Sequence, residues 1–85
     1  MRKQDIIESA QAILSNHLQM SDEAVCEQIS RVKADALTFA GHPASRITEA
    51  SWVKFIESDQ LNMNYHRILI DLDDCLDFHN KTRYI

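Results

Sequence analysis

The sequence predicts an all-α fold, a small bundle of three long helices and one short helix in a single domain, residues 1–85. The only glycine and the only proline, Gly41 and Pro43, stand two positions apart, which is typical of one sharp helix end. On both sides of this break, apolar residues recur at intervals of three and four, the period of an α-helix. Ser21 and Thr48 stand where two of these periodic segments begin, and both residue types are favoured N-caps.

The first helix is predicted over about residues 3–19. Its early acidic residues, Asp5 and Glu8, lie where the helix dipole favours negative charge. Six apolar positions at helical spacing define its buried face: Ile6, Ile7, Ala10, Ile13, Leu14 and Leu18.

The second helix is predicted over about residues 21–40. Ser21 is its N-cap, and Met20 is placed to pack against Val25 as a hydrophobic staple. Gly41 ends the helix, and the break is expected to span residues 41–46.

The third, short helix is predicted over about residues 48–58, with Thr48 as its N-cap, Ile47 as the staple and Trp52 in the core. The fourth helix is predicted over about residues 63–81. A strand is the alternative for residues 67–72, which are locally rich in β-formers. The helix is favoured because one apolar face continues at helical spacing through Tyr65, Ile68, Leu69, Leu72, Cys75, Leu76 and His79.

Composition limits the classes of function. The formal net charge is −4 and the nine Lys and Arg residues are scattered, which disfavours nucleic acid and anionic membranes as partners. No segment reads as a signal peptide or a membrane span, which favours a cytoplasmic protein. The two cysteines, Cys26 and Cys75, fall on apolar stripes and are interpreted as reduced core residues.

Neither catalysis nor a cofactor is predicted. No glycine-rich phosphate loop exists, because the chain has one glycine, and no nucleophile motif is present. The histidines, His17, His42, His66 and His79, are spread along the chain. We interpret them as ordinary surface or boundary residues, so no metal site is predicted.

Three acids on the fourth helix, Asp73, Asp74 and Asp77, match the string DDxxD. This string resembles the one with which isoprenoid synthases hold a diphosphate through magnesium. Those enzymes are much larger and enclose a deep cavity, so the favoured interpretation here is a solvated acidic face. A Mg²⁺-dependent hydrolase that uses these aspartates is kept as the second alternative function.

The leading prediction is a small acidic regulatory protein that binds another protein and can form a homodimer. Its predicted binding residues are Ile70, Asp73, Asp74, Asp77 and Phe78, since apolar residues framed by acids on the outer face of a helix are typical of a protein interface. The regulatory role, in bacteria or phage, is an analogy with other small helical chains.

The first alternative function is a DNA-binding regulator of the helix-turn-helix type. Residues 45–55 include a short helix with Thr48, Ser51 and Lys54 on its outer side. Recognition helices usually begin with several basic or amide side chains, whereas this one begins with Thr48 and Glu49.

Overall fold

The computed structural model describes residues 2–41, 48–57 and 63–83, and every regular element in these ranges is helical. Helix α1 spans Lys3–Asn16 and runs into a 3-10 turn, His17–Gln19. Helix α2 spans Asp22–Phe39, α3 spans Glu49–Ile56 and α4 spans Met63–Arg83. The prediction of an all-α bundle with three long helices and one short helix is confirmed, and the strand alternative for residues 67–72 is wrong.

The predicted helix caps are confirmed where the structure describes them. Ser21 Oγ accepts a hydrogen bond from the Ala24 backbone N–H at 3.2 Å, and Thr48 Oγ1 accepts one from Ser51 at 3.2 Å. Gly41 has a φ of +93°, a left-handed conformation that glycine adopts without steric cost. The rest of the predicted break, residues 42–46, and the predicted staple residue Ile47 lie outside the described residues.

The first helix ends earlier than predicted, and this changes the position of Leu18. The α-helical part stops at Asn16, and His17–Gln19 continue as a tighter 3-10 turn. A 3-10 turn has about three residues per turn, so it rotates later residues off the stripe set by the α-helix. Leu18, predicted on the buried face, is therefore 76% exposed.

The core lies between α1, α2 and α4, and α3 covers the side formed by α2 and α4. Trp52 is 2% exposed, so its predicted burial is confirmed. The buried apolar residues are Ile6, Ala10, Ile13, Val25, Ile29, Val32, Ala36, Leu37, Trp52, Phe55, Tyr65, Leu69, Leu72 and Cys75. Among the described helices, none is both long enough and apolar enough to pass through a membrane.

Candidate functional site

The predicted binding residues of α4 do not form one open surface. Asp74 and Asp77 are exposed and Ile70 is half-buried. Phe78 is 52% exposed, and its ring lies edge-on to the His17 ring with the centroids 6.4 Å apart. Ile70 and Phe78 are eight positions apart, which is roughly 12 Å along a helix axis. Phe78 therefore belongs to the side of α4 that faces the 3-10 turn.

Asp73 differs from the expectation of a solvated acid. The Trp52 indole Nε1 donates a hydrogen bond to Asp73 Oδ2 at 2.7 Å, and Lys33 Nζ lies 2.9 Å from Oδ1. Only 31% of the Asp73 side chain is exposed. Both carboxylate oxygens are thus occupied by groups of the bundle, and Asp73 joins α4 to α2 and α3.

Lys33 completes what we call the lysine network, which consists of Lys33, Glu49, Trp52 and Asp73. Its ammonium lies 4.7 Å from the Trp52 ring centroid, a cation–π distance, and 3.9 Å from Glu49 Oε2. Lys33 as a whole is only 9% exposed. No local pattern indicated this burial, because lysine is almost never buried unless it is paired, and the partner Asp73 lies far along the chain.

A second group of polar residues lies on the side of α4 away from the lysine network. We call it the histidine cluster, and it consists of His17, Asp22, Cys75 and His79. His17 comes from the 3-10 turn, Asp22 from the first turn of α2, and Cys75 and His79 from α4. Asp22 Oδ1 lies 2.6 Å from His79 Nδ1, and His79 Nε2 lies 3.0 Å from His17 Nδ1. One cluster therefore connects three elements of the bundle.

The contact with Asp22 places a proton on Nδ1 of the His79 ring. An ionised carboxylate only accepts hydrogen bonds, so the His79 Nδ1–H donates a hydrogen bond to Asp22 Oδ1. In the neutral ring, Nε2 then carries a lone pair, and this lone pair is directed toward His17. His79 is 3% exposed, which makes the interpretation of this residue as a surface or boundary histidine wrong.

Cys75 is the third potential donor. Its Sγ, one nitrogen of His17 and one nitrogen of His79 all lie within 4.8 Å of one another. Burial raises the pKa of the Cys75 thiol, and the nearby Cys26 adds to this effect. Reactive cysteines have a lowered pKa and partial exposure, so Cys75, which is 7% exposed, is not an activated nucleophile despite the histidine and aspartate beside it.

The histidine cluster was not predicted from the sequence, although the spacing of two of its residues indicates part of it. Cys75 and His79 are four positions apart on one helix, so their side chains lie one above the other on the same face. Cys75 and His79 were predicted to be part of the apolar face of the fourth helix, so they were not considered as metal ligands. His17 and Asp22 carry no such signal, because only the fold brings them to α4.

Two surface depressions beside α4 lie away from the lysine network and the histidine cluster. One of about 440 Å³ lies along the first half of α4, and one of about 420 Å³ lies between α1 and α4. Their described lining residues are Gln4, Ile7, Gln11, Met63, Asn64, His66, Arg67, Ile68, Ile70 and Asp71. No serine, threonine or cysteine occurs in this set, so neither depression presents one of these nucleophiles among its described residues.

Comparison of the chain with protein-family models, with curated proteins and with solved structures found no match. What the protein does is therefore inferred from its own residues and their geometry.

Proposed function

We propose that this protein acts by binding another protein, without catalysis, through the surface where the 3-10 turn meets the second half of α4. The observation that carries this proposal is the exposure of two large apolar side chains, Leu18 at 76% and Phe78 at 52%. Phe78 contacts the ring of His17, and Leu18 is the next residue after His17. Both apolar residues are thus neighbours of the same histidine, Phe78 through its ring and Leu18 along the chain.

Charged residues border Phe78, as they do at the rim of a protein interface. Asp74 lies one helical turn before Phe78 and Lys81 nearly one turn after it, and both are exposed. We call Leu18, Asp74, Phe78 and Lys81 the Leu18–Phe78 surface. Because the chain carries a net charge of −4, a basic partner surface is favoured, and complementary charge speeds association.

Self-association is the second form of binding that this surface supports. A two-fold contact would bring the same acids of two chains together, so Asp74 and Asp77 oppose it at low ionic strength. Salt screens such repulsion. A homodimer through α4 would therefore become tighter as the salt concentration rises.

A capture experiment with three baits tests the proposal. Wild-type protein, Phe78→Asp and the control Met63→Asp are immobilised and exposed to extract of the source cells. Met63 is 88% exposed at the opposite end of α4, so its variant carries the same new charge away from the proposed surface. We expect a stoichiometric partner on wild type and Met63→Asp, and its loss from Phe78→Asp. Equal capture by all three baits would contradict the proposal.

Sedimentation equilibrium at low and high salt concentration tests whether the protein forms a homodimer. A dimer that tightens with salt and is lost in Phe78→Asp supports the homodimer through the same surface. Circular dichroism of each variant confirms that the helical fold is kept, since a folded variant is needed for either comparison.

The two alternative functions gain no support from the geometry of their candidate residues. For DNA binding, the Thr48 and Ser51 hydroxyls lie 3.1 Å apart within the N-cap of α3. For a Mg²⁺-dependent hydrolase, Asp73 is bound to Lys33 and Trp52. The cytoplasm remains the proposed compartment, because Cys26 and Cys75 are both free thiols, as is usual in a reducing environment.

A further inference from the structure

We propose that the histidine cluster is a binding site for a Zn²⁺-class metal ion. The ligands are His17 Nδ1, Cys75 Sγ and His79 Nε2, and the fourth position is open to a water molecule. These three ligands are separate from the residues of the Leu18–Phe78 surface.

The donor atoms are of the right types and lie close together. Zinc is bound by histidine nitrogen and cysteine sulfur, and a set of three protein ligands plus water is one of its common arrangements. Zn–N bonds of about 2.0–2.1 Å in a tetrahedron place two nitrogens roughly 3.3 Å apart. The His17 Nδ1 to His79 Nε2 distance is 3.0 Å, and one nitrogen of each ring and Cys75 Sγ lie within 4.8 Å of one another. Metal binding requires the His17–His79 hydrogen bond to open and the Cys75 sulfur and the two rings to draw together, since the donor separations now reach as much as 4.8 Å.

Asp22 orients the site from outside the ligand set. Metal-binding histidines usually donate the second ring N–H to a carboxylate, which fixes the ring and makes the ligating nitrogen more basic. His79 makes this bond to Asp22 at 2.6 Å, which directs its Nε2 lone pair away from Asp22 and toward His17. The cluster therefore contains the outer support of a metal site as well as its donors.

The three proposed ligands differ in how far they are exposed to solvent. Cys75 and His79 are buried on α4, whereas His17 is half-buried on the 3-10 turn. An ion can thus approach from the His17 side and be held against α4. The bound ion would join the 3-10 turn that follows α1 to α4.

The proton balance of binding is simple. The Cys75 S–H bond breaks, the thiolate sulfur bonds to the metal, and the proton leaves to solvent. A neutral His17 that donates from Nδ1 shifts its proton to Nε2 through water and then binds the metal with Nδ1. One proton is released for each ion, and no oxidant or reductant is required.

Titration of the full chain with Co²⁺, followed by Zn²⁺ competition, tests the site. Cobalt takes zinc's ligands and reports a bound thiolate through a charge-transfer absorption band. We expect one ion per chain, a thiolate band, and displacement of cobalt by zinc. Cys75→Ser should remove the band, and Asp22→Asn should weaken zinc binding about 10–100-fold, the usual effect of losing an outer-shell partner.

Matched variants keep the test decisive. His17 is half-buried on the 3-10 turn and outside the apolar core. The His17→Gln variant should therefore fold and lose most of its affinity for zinc. His66→Gln and Cys26→Ser change the same residue types outside the proposed ligand set and should keep the band. Absence of stoichiometric binding would overturn the site. So would a band that survives in Cys75→Ser, or affinity that is unchanged in His17→Gln.

Discussion

The lysine network and the histidine cluster lie on two sides of the same helix, α4, and both bury polar groups, but they differ in how these groups are satisfied. In the lysine network, the ammonium of Lys33 faces the Asp73 carboxylate at 2.9 Å and the Trp52 ring at 4.7 Å. The second Asp73 oxygen accepts the Trp52 N–H at 2.7 Å. Each charge there has an opposite charge or a matching donor.

The histidine cluster contains donors of another kind. His79 is hydrogen-bonded to the carboxylate of Asp22. One nitrogen of His79, one nitrogen of His17 and the Cys75 sulfur also lie within 4.8 Å of one another. Histidine nitrogens and a cysteine sulfur grouped this closely are the ligand types that a zinc ion takes. Burial of polar atoms alone therefore does not indicate a metal site, whereas several metal-ligating side chains close to one another do.

The largest expected effect concerns the lysine network. Trp52→Ala should lower the free energy of unfolding by about 3–5 kcal/mol, the usual cost of truncating a large buried side chain. Urea unfolding followed by circular dichroism measures it, because Trp52 is the only tryptophan and its fluorescence is lost with it. Val53→Ala is the control on the same helix, since Val53 is 45% exposed and should change stability by no more than roughly 0.5 kcal/mol. An unfolding midpoint of Trp52→Ala equal to that of wild type would show that the indole is not part of the core.

The next effect separates the two groups. Zinc at a hundred times its dissociation constant should raise the free energy of unfolding by about 2.7 kcal/mol, because it binds the folded chain. Thermal melts of wild type, His17→Gln and His66→Gln with and without zinc measure this gain. We expect it in wild type and His66→Gln and little of it in His17→Gln. The same gain in all three proteins would mean that zinc binds elsewhere.

The smallest effect compares two acids of α4. Asp73→Asn should cost about 1–2 kcal/mol, because it removes a charge-assisted bond from a nearly buried ammonium, while the partial exposure of Asp73 limits the loss. Asp77→Asn should change stability by no more than roughly 0.5 kcal/mol, since Asp77 is exposed. Adding Lys33→Met to Asp73→Asn should cost less than the sum of the single changes, as expected for coupled neighbours. Equal effects of the two single Asp→Asn changes would remove the distinction between these acids.

The features that the sequence predicted correctly are local. Ser21 and Thr48 cap helices through bonds to residues three positions later, so their roles are visible in short stretches of sequence. The burial of Trp52 follows from helical spacing in the same way. The α1 end was harder, because the switch from an α-helix to a 3-10 turn at His17 leaves the apolar spacing unchanged while it exposes Leu18.

The two polar groups depend on contacts that no local pattern encodes. His17 and His79 are 62 positions apart, and Trp52 and Asp73 are 21 apart. Asp22 comes directly after the N-cap of α2, where an acid is ordinary, and its bond to His79 requires the packed bundle. The Cys75 and His79 pair was the one local sign of the histidine cluster, and it acquires meaning only with His17 beside it.

Crystallographic anomalous scattering at the zinc absorption edge tests the central claim most directly. Crystals grown with one equivalent of zinc should show a single strong anomalous peak enclosed by His17 Nδ1, Cys75 Sγ and His79 Nε2, with Asp22 still bonded to His79 Nδ1. The same crystals should show no peak at Asp73, whose carboxylate stays with Lys33 and Trp52. An empty histidine cluster, with zinc found only on exposed acids such as Asp74 and Asp77, would contradict the account.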